Sequence, residues 1–211
     1  MHKYIREPAE IYKKSFDTIS SEADLNRFNE KEKKIVTRII HSCGDISVTE
    51  DIFISENAIK SGIDALKLGE KIYVDSKMVA AGIIEKNFKL SRVYCYIGED
   101  DVVDIAKKIN TTRSAAAVEY WKEGMSNSIL IIGNAPTALF RVLEIINEND
   151  IRPRLVIGMP LGFVGAIEAK EELINSHQSL GLDIITICGR RGGSAMACAT
   201  INAISLLIDD K

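Results

Sequence analysis

The chain contains three histidines, and only His41 lies in an internal stretch with reactive neighbours, RIIHSCGD over residues 38–45. An imidazole gains or loses its charge near neutral pH, so it serves as an acid, a base or a ligand. Ile35, Val36, Ile39 and Ile40 define one face of a helix, and Lys34, Arg38, His41 and Asp45 run along another. His41 therefore flanks the core face in the last turn, where the negative end of the helix dipole favours a cationic ring. Two roles stay open at this level, proton donor and helix cap. Ser42 and Cys43 adjoin it, but neighbouring helical residues diverge by about 100° and do not form a nucleophile–base pair readily. His2 is terminal and His177 sits in a polar helix end, and neither invites a role.

A second set of chemically capable residues lies on glycine turns. SILIIGNAPTALF, RLVIGMPLGFVGA and IITICGRRGGSAMA each read as an apolar strand that reaches a glycine, namely Gly133, Gly158 and Gly189, before a helix start. Strand C-termini of a parallel sheet share one edge, so the three turns converge on a single rim. Helix N-termini there present unpaired N–H groups and positive dipole ends, which suit anions. Arg190 and Arg191 add guanidinium groups, Gly192, Gly193 and Ser194 add N–H groups, and GNAPTAL adds Asn134 and Thr137. TTRSAAA supplies Arg113, flanked by Thr112 and Ser114, at another helix start. Each turn alone reads first as a tight connection without a ligand, and it is the convergence of several Arg, Ser and Thr residues on one rim that argues for a site; the arginines in isolation are simply solvated surface. Met78, Met159, Leu161, Phe163 and Val164 are either core or an apolar wall beside these donors. As a wall they suit a large, flat, apolar molecule with an anionic periphery, such as an organic macrocycle.

The elements that must carry these groups follow from periodicity. Pro8 starts an amphipathic first helix with Ile11, Tyr12, Ser15, Phe16 and Ile19, and polar residues 20–29 read as a loop. Asn29 caps a second helix that ends at Gly44. From Asp51 onward, β-rich runs such as IFI, KIYV and RVYCYI alternate with helical spacing. That alternation predicts a three-layer α/β/α, Rossmann-like fold with a mostly parallel central sheet, in one domain over residues 1–211.

The 211 residues are 46% hydrophobic and 27% charged, with a net charge of −3, which offers no field for nucleic acid or an anionic membrane. The charged start MHKYIREPAEIYKKSF and the lack of any run of ~20 apolar residues predict a cytoplasmic chain. Cys43, Cys95, Cys188 and Cys198 lack C-x-x-C or zinc-finger spacing and read as free thiols, with no metal site. Neither G-x-G-x-x-G nor G-x-x-x-x-G-K-[ST] occurs, so a nicotinamide or nucleotide enzyme rests on fold analogy alone.

YKKSF, RIIHSCGD, VDSKMVAAGI, TTRSAAA, GNAPTAL, GMPLGFVGAIEAKEEL and GRRGGSAMACATINA follow one another along nearly the whole chain. In that order the chain resembles the precorrin-8X methylmutase family of cobalamin biosynthesis, including its cobalt-precorrin-8 branch. The resemblance implies an α/β homodimer that moves a methyl group from C-11 to C-12 of a corrinoid ring. It implies that His41 is the proton donor or acceptor and that Ser15 contacts substrate. The other expected substrate contacts are Arg38, Arg113, Ser114, Asn134, Thr137, Arg190, Gly192, Gly193 and Ser194. No cofactor is expected, and cobalt, where present, is carried by the substrate. Two departures stand out: Ala169 where the family usually has serine in E-S-K-E, and Arg191 where lysine is frequent before GGS. The competing reading is a non-catalytic corrinoid carrier.

Overall fold

The computed structural model describes residue 2 and residues 4–208. Helices α1 (Pro8–Glu22) and α2 (Glu30–Cys43) come first, and strand β1 (Ile52–Ile54) follows a 3₁₀ turn over Ile46–Asp51. Then come α3 (Ala58–Leu68), β2 (Ile72–Val74), α4 (Lys77–Gly82), β3 (Val93–Tyr94), α5 (Val102–Lys108) and α6 (Arg113–Ala117). The last third is regular: β4 (Ile129–Ile132), α7 (Pro136–Asn149), β5 (Leu155–Gly158), α8 (Ala166–Ser176), β6 (Ile184–Ile187) and α9 (Ser194–Leu206).

Local chemistry fixes the helix that carries His41. The Asn29 side chain accepts from the amides of Lys31 and Glu32, and the Glu32 carboxylate accepts the Asn29 N–H in return, a capping box. Such a cap contributes about 1 kcal/mol. At the other end Gly44 adopts φ 68° and donates its N–H to Ile40, a left-handed stop that a side chain would strain. The first helix runs further than the polar sequence predicts. Thr18 and Ser21 hydroxyls fold back onto the carbonyls of Lys14 and Thr18, so polar residues continue the helix to Glu22.

The strands lie in the order β1-β6-β5-β4-β2-β3, and every pairing is parallel except β1 with β6. Residues of β4 alternate between two cores. Ile129 and Ile131 pack with Ile39, Ile63 and Ile204 on one side, while Leu130 and Ile132 pack with Val142, Ile146 and Leu173 on the other. Helices therefore cover both faces, which gives the three expected layers, and each fully buried Ile or Leu contributes about 1.5–3 kcal/mol. From β2 the chain moves outward to β3, then returns past β2 to build β4, β5 and β6 in succession. The order reverses between β2 and β4, and that crevice at the strand C-termini is where such sheets bind ligands. Among the described residues no helix is long and apolar enough to cross a membrane.

Candidate functional site

His41 projects from the last turn of α2 toward α1. Its Nδ1 lies 2.8 Å from the Ser15 hydroxyl, and its ring packs against Tyr12 and Phe16 at 5.6 and 5.5 Å between centroids. The helix end is capped by Gly44, and the Ser42 hydroxyl and Cys43 thiol point back to the carbonyls of Ile39 and Ile40. The cap reading of His41 therefore gives way, because the imidazole bonds across helices rather than to its own. A neutral ring that accepts from Ser15 at Nδ1 carries its proton on Nε2, which has no protein partner among the described residues. His41 and Ser15 line a cavity of about 370 Å³ with Lys14, Thr18 and Ile40. Arg38 is half-buried, its guanidinium 5.3 Å from the Phe16 ring centroid, and it faces a larger cavity of about 960 Å³ beside Thr37 and Leu207.

At the switch crevice the structure brings α6 and α7 together. Thr112 caps α6 by accepting the Ala115 N–H, and its hydroxyl meets that of Thr137 at 2.8 Å. Arg113, next in sequence, donates to the Ile97 carbonyl at 3.1 Å and keeps an exposed side chain; Ser114 is half-buried behind it. Asn134 and Thr137 are exposed at the start of α7. Beneath them sits Asp75, immediately after β2 and 1% exposed. Its carboxylate accepts the amides of Gly133, Asn134 and Ala135 at 3.0, 2.9 and 2.8 Å. Burial pushes this carboxyl up from its ordinary range, and the three amides pull it back. The N–H groups expected to grip a ligand at α7 are thus already filled by an internal anion, a correction to the reading from glycine turns.

The turn before α9 is pinned from several directions. Gly192 and Gly193 take φ 151° and 119°, and a Cβ at Gly192 would overlap the Met159 carbonyl oxygen. The Gly193 N–H donates to that oxygen at 2.8 Å, so it is not available to a ligand. Gly162 N–H bonds the Arg190 carbonyl at 3.2 Å, and the ammonium of Lys170 bonds the Arg191 carbonyl at 2.6 Å. The Arg191 guanidinium is committed as well, to Asp45 at 3.1 Å, Ser47 at 2.7 Å and Asp51 at 3.0 Å. Arg191 is therefore a strut and not a free anion donor, and its forked head spans two carboxylates where a lysine would meet one. Arg190 is exposed, with its guanidinium 5.2 Å from the Phe163 ring centroid, and lines a cavity of about 330 Å³ with Leu161, Gly162 and Met196. Ser194 is half-buried at the first position of α9.

The apolar wall divides in two. Met159 is wholly buried and belongs to the core, whereas Met78, Leu161, Phe163 and Val164 are exposed, the last two at 86% and 88%. Ala169 is also core, so the departure from serine there alters packing and not a peripheral contact. The His41 cavity and the Arg190 cavity share no lining residue. The expectation of one cleft holding both is thus not met within a single chain; the Arg191 to Asp45 ion pair connects their walls. Asp75 and Lys170 were missed by reading motifs, although VDSK directly after an apolar strand, and a lone lysine on the apolar stripe of α8, were visible signals.

Residues 10–207 match the family model described as precorrin-8X methylmutase. The chain is 42% identical over 206 residues to a precorrin-8X methylmutase of Pseudomonas aeruginosa, covering 97% of this chain and 98% of that protein. It is 37% identical over 205 residues to a cobalt-precorrin-8 methylmutase of Priestia megaterium, covering 96% and 89%. The fold superposes on the crystal structure of a precorrin-8X methylmutase from Thermus thermophilus with a TM-score of 0.84 at 32% identity, covering 95% of this chain and 98% of the other. With motifs, chain length and sheet in agreement, the chain belongs to the precorrin-8X methylmutase family.

Proposed function

We propose that the chain is an isomerase of cobalamin biosynthesis that moves a methyl group from C-11 to C-12 of precorrin-8 or its cobalt form. The observation that carries this reading is His41 bonded to Ser15 at one ring nitrogen and, among the described residues, unpartnered at the other, inside the family's RIIHSCGD motif. The migration is an isomerisation in which no atom is gained or lost. Any proton lent by Nε2 therefore returns within the cycle, and the reaction calls for no redox cofactor, no enzyme-supplied metal and no covalent nucleophile. General acid assistance is worth about 10²–10⁴-fold, and holding the ring near its reacting geometry supplies much of the rest.

The substrate bears carboxylates around an apolar ring. Arg113 and Arg190 are the exposed cations that suit that fringe, with the hydroxyls of Thr137 and Ser194 and the amide of Asn134 beside them, while Phe163 and Val164 suit the ring. Arg38 joins the His41 side. We further read the chain as one cytoplasmic domain that pairs into a homodimer. Support for pairing comes from exposed Ile11, Tyr12, Phe163 and Val164 on the two surfaces that flank the Arg191 strut. Free Cys43, Cys95, Cys188 and Cys198 support a reducing compartment.

The deciding experiment incubates the protein with precorrin-8, with and without cobalt, and follows conversion to the more conjugated corrinoid by absorbance. The expected outcome is turnover that disappears in His41→Ala while corrinoid binding persists. Bound precursor returned unchanged by the unaltered protein would make it a carrier.

A further inference from the structure

Lys170 is wholly buried, and its only hydrogen bond among the described residues is to the carbonyl of Arg191. An ammonium taken out of water is costly unless it holds something in return. What it holds is the main chain of the turn that carries Arg190 and opens α9. Asp51, at the end of the 3₁₀ turn before β1, and Cys188, just after β6, are the titratable groups that face it, and neither lies within hydrogen-bonding range. The same Arg191 reaches in the opposite direction, where its guanidinium grasps Asp45, the residue after the Gly44 stop and four positions beyond His41. Lys170, Arg191 and Asp45 therefore form a continuous polar line from the middle of α8 to the end of α2. Arg190 adjoins the middle of that line at Arg191, and His41 stands four residues before its Asp45 end.

We propose that Lys170 is a positioning residue of the methyl shift, which through Arg191 fixes the distance between the Arg190 turn and the His41 end of α2. It touches no substrate. It acts because the line fixes how the Arg190 surface and the His41 surface stand to each other. In a symmetric dimer that same spacing sets where one subunit's rim meets the other subunit's imidazole, and displacements near 1 Å there cost about 10²-fold in rate. The inference rests on the methylmutase reading above.

The test is a cycle of Lys170→Met, Arg191→Met and the double variant. Lys170→Met keeps length and apolar stem but removes the donor; Arg191→Met removes the outer arm and leaves the carbonyl in place. Each single variant is expected to lower kcat by about tenfold or more with KM within about threefold, and the double variant to fall no further than the worse single one, because the two links act in series. Multiplicative losses, or an unchanged kcat in either folded variant, overturn the proposal. Should Lys170→Met fail to fold, Lys170→Gln, whose shorter side chain loses the reach to the Arg191 carbonyl, takes its place in the cycle with the same expected loss of kcat, and an unchanged kcat overturns the proposal. Amide hydrogen exchange separates this inference from the functional reading. Loss of the Lys170 donor is expected to speed exchange at residues 44–47 as well as at 189–193. Unchanged exchange at residues 44–47 overturns it whatever the turnover, whereas an inactive unaltered protein defeats the methylmutase reading first.

Discussion

The Ser15 hydroxyl and the His41 imidazole meet at 2.8 Å across two helices, twenty-six positions apart in sequence. That bond orients the ring and settles which nitrogen faces outward. Ser15→Ala is expected to lower kcat by about 2–10-fold, the worth of one hydrogen bond, with KM nearly unchanged. In the His41→Ala background the same change should leave corrinoid binding unaltered. A full loss of turnover in Ser15→Ala, with His41 intact, would instead make the serine itself a reacting group.

Arg190 and Arg191 are adjacent but predict opposite phenotypes. Arg190→Ala removes an exposed cation from the rim and should raise KM about 10–100-fold with the melting temperature unchanged, as expected of one charge-assisted bond to a carboxylate. Arg113→Ala should raise KM likewise, with a small fall in melting temperature because its bond to the Ile97 carbonyl is lost too. Arg191→Ala unpairs Asp45 and Asp51 and should lower the melting temperature as well as kcat. Steady-state kinetics beside thermal unfolding distinguishes the two patterns.

Asp75→Asn replaces one acceptor oxygen with an NH₂ group facing backbone amides. Three donors at Gly133, Asn134 and Ala135 then compete for a single oxygen. A loss of about 2–4 kcal/mol in unfolding free energy is expected, read from denaturant midpoints. A stability within about 0.5 kcal/mol of the unaltered protein would show that the α7 terminus needs no internal anion.

Burial lowers the Lys170 amine to about 8 from the 10.5 of the free side chain. Below pH 8 the group is charged in the folded and the unfolded chain alike, and the buried charge weighs fully against the fold. Between pH 8 and 10.5 the folded chain gives up the proton that the unfolded chain keeps, so this group's contribution to stability rises with pH, by up to about 1.4 kcal/mol per unit. Cys198 has the opposite sign, since burial raises its thiol to about 11 from 9.0 and its contribution falls as pH rises between 9 and 11. The difference between the unaltered protein and Lys170→Met isolates the lysine: their stability gap should change with pH between 8 and 10.5 and stay flat between 6 and 8.

Oligomeric state is checked by sedimentation. A dimer is expected, and Tyr12→Glu or Phe163→Glu should weaken whichever of the two exposed faces is shared, by burying a charge on association.

Much of this architecture could be read from local patterns because local physics decides it. Asn29 with Glu32 and Gly44 mark both ends of α2 by their own hydrogen bonds, and the apolar runs ending on Gly133, Gly158 and Gly189 mark three parallel strands. What stayed illegible depends on partners distant in the chain. The N–H groups of GNAPT look free until Asp75, some sixty residues earlier, is seen to occupy them. Arg190 and Arg191 look equivalent until Asp45 and Asp51 claim only one. Met159 looks like lining until Gly192 and Gly193 close over its carbonyl.

A protein that seats its own carboxylate under the α7 terminus arrives at its substrate with that corner already shaped. The loop over Gly133–Ala135 does not wait for a visiting acid to organise it, so corrinoid affinity is free to act on the ring and its fringe instead of on ordering the scaffold.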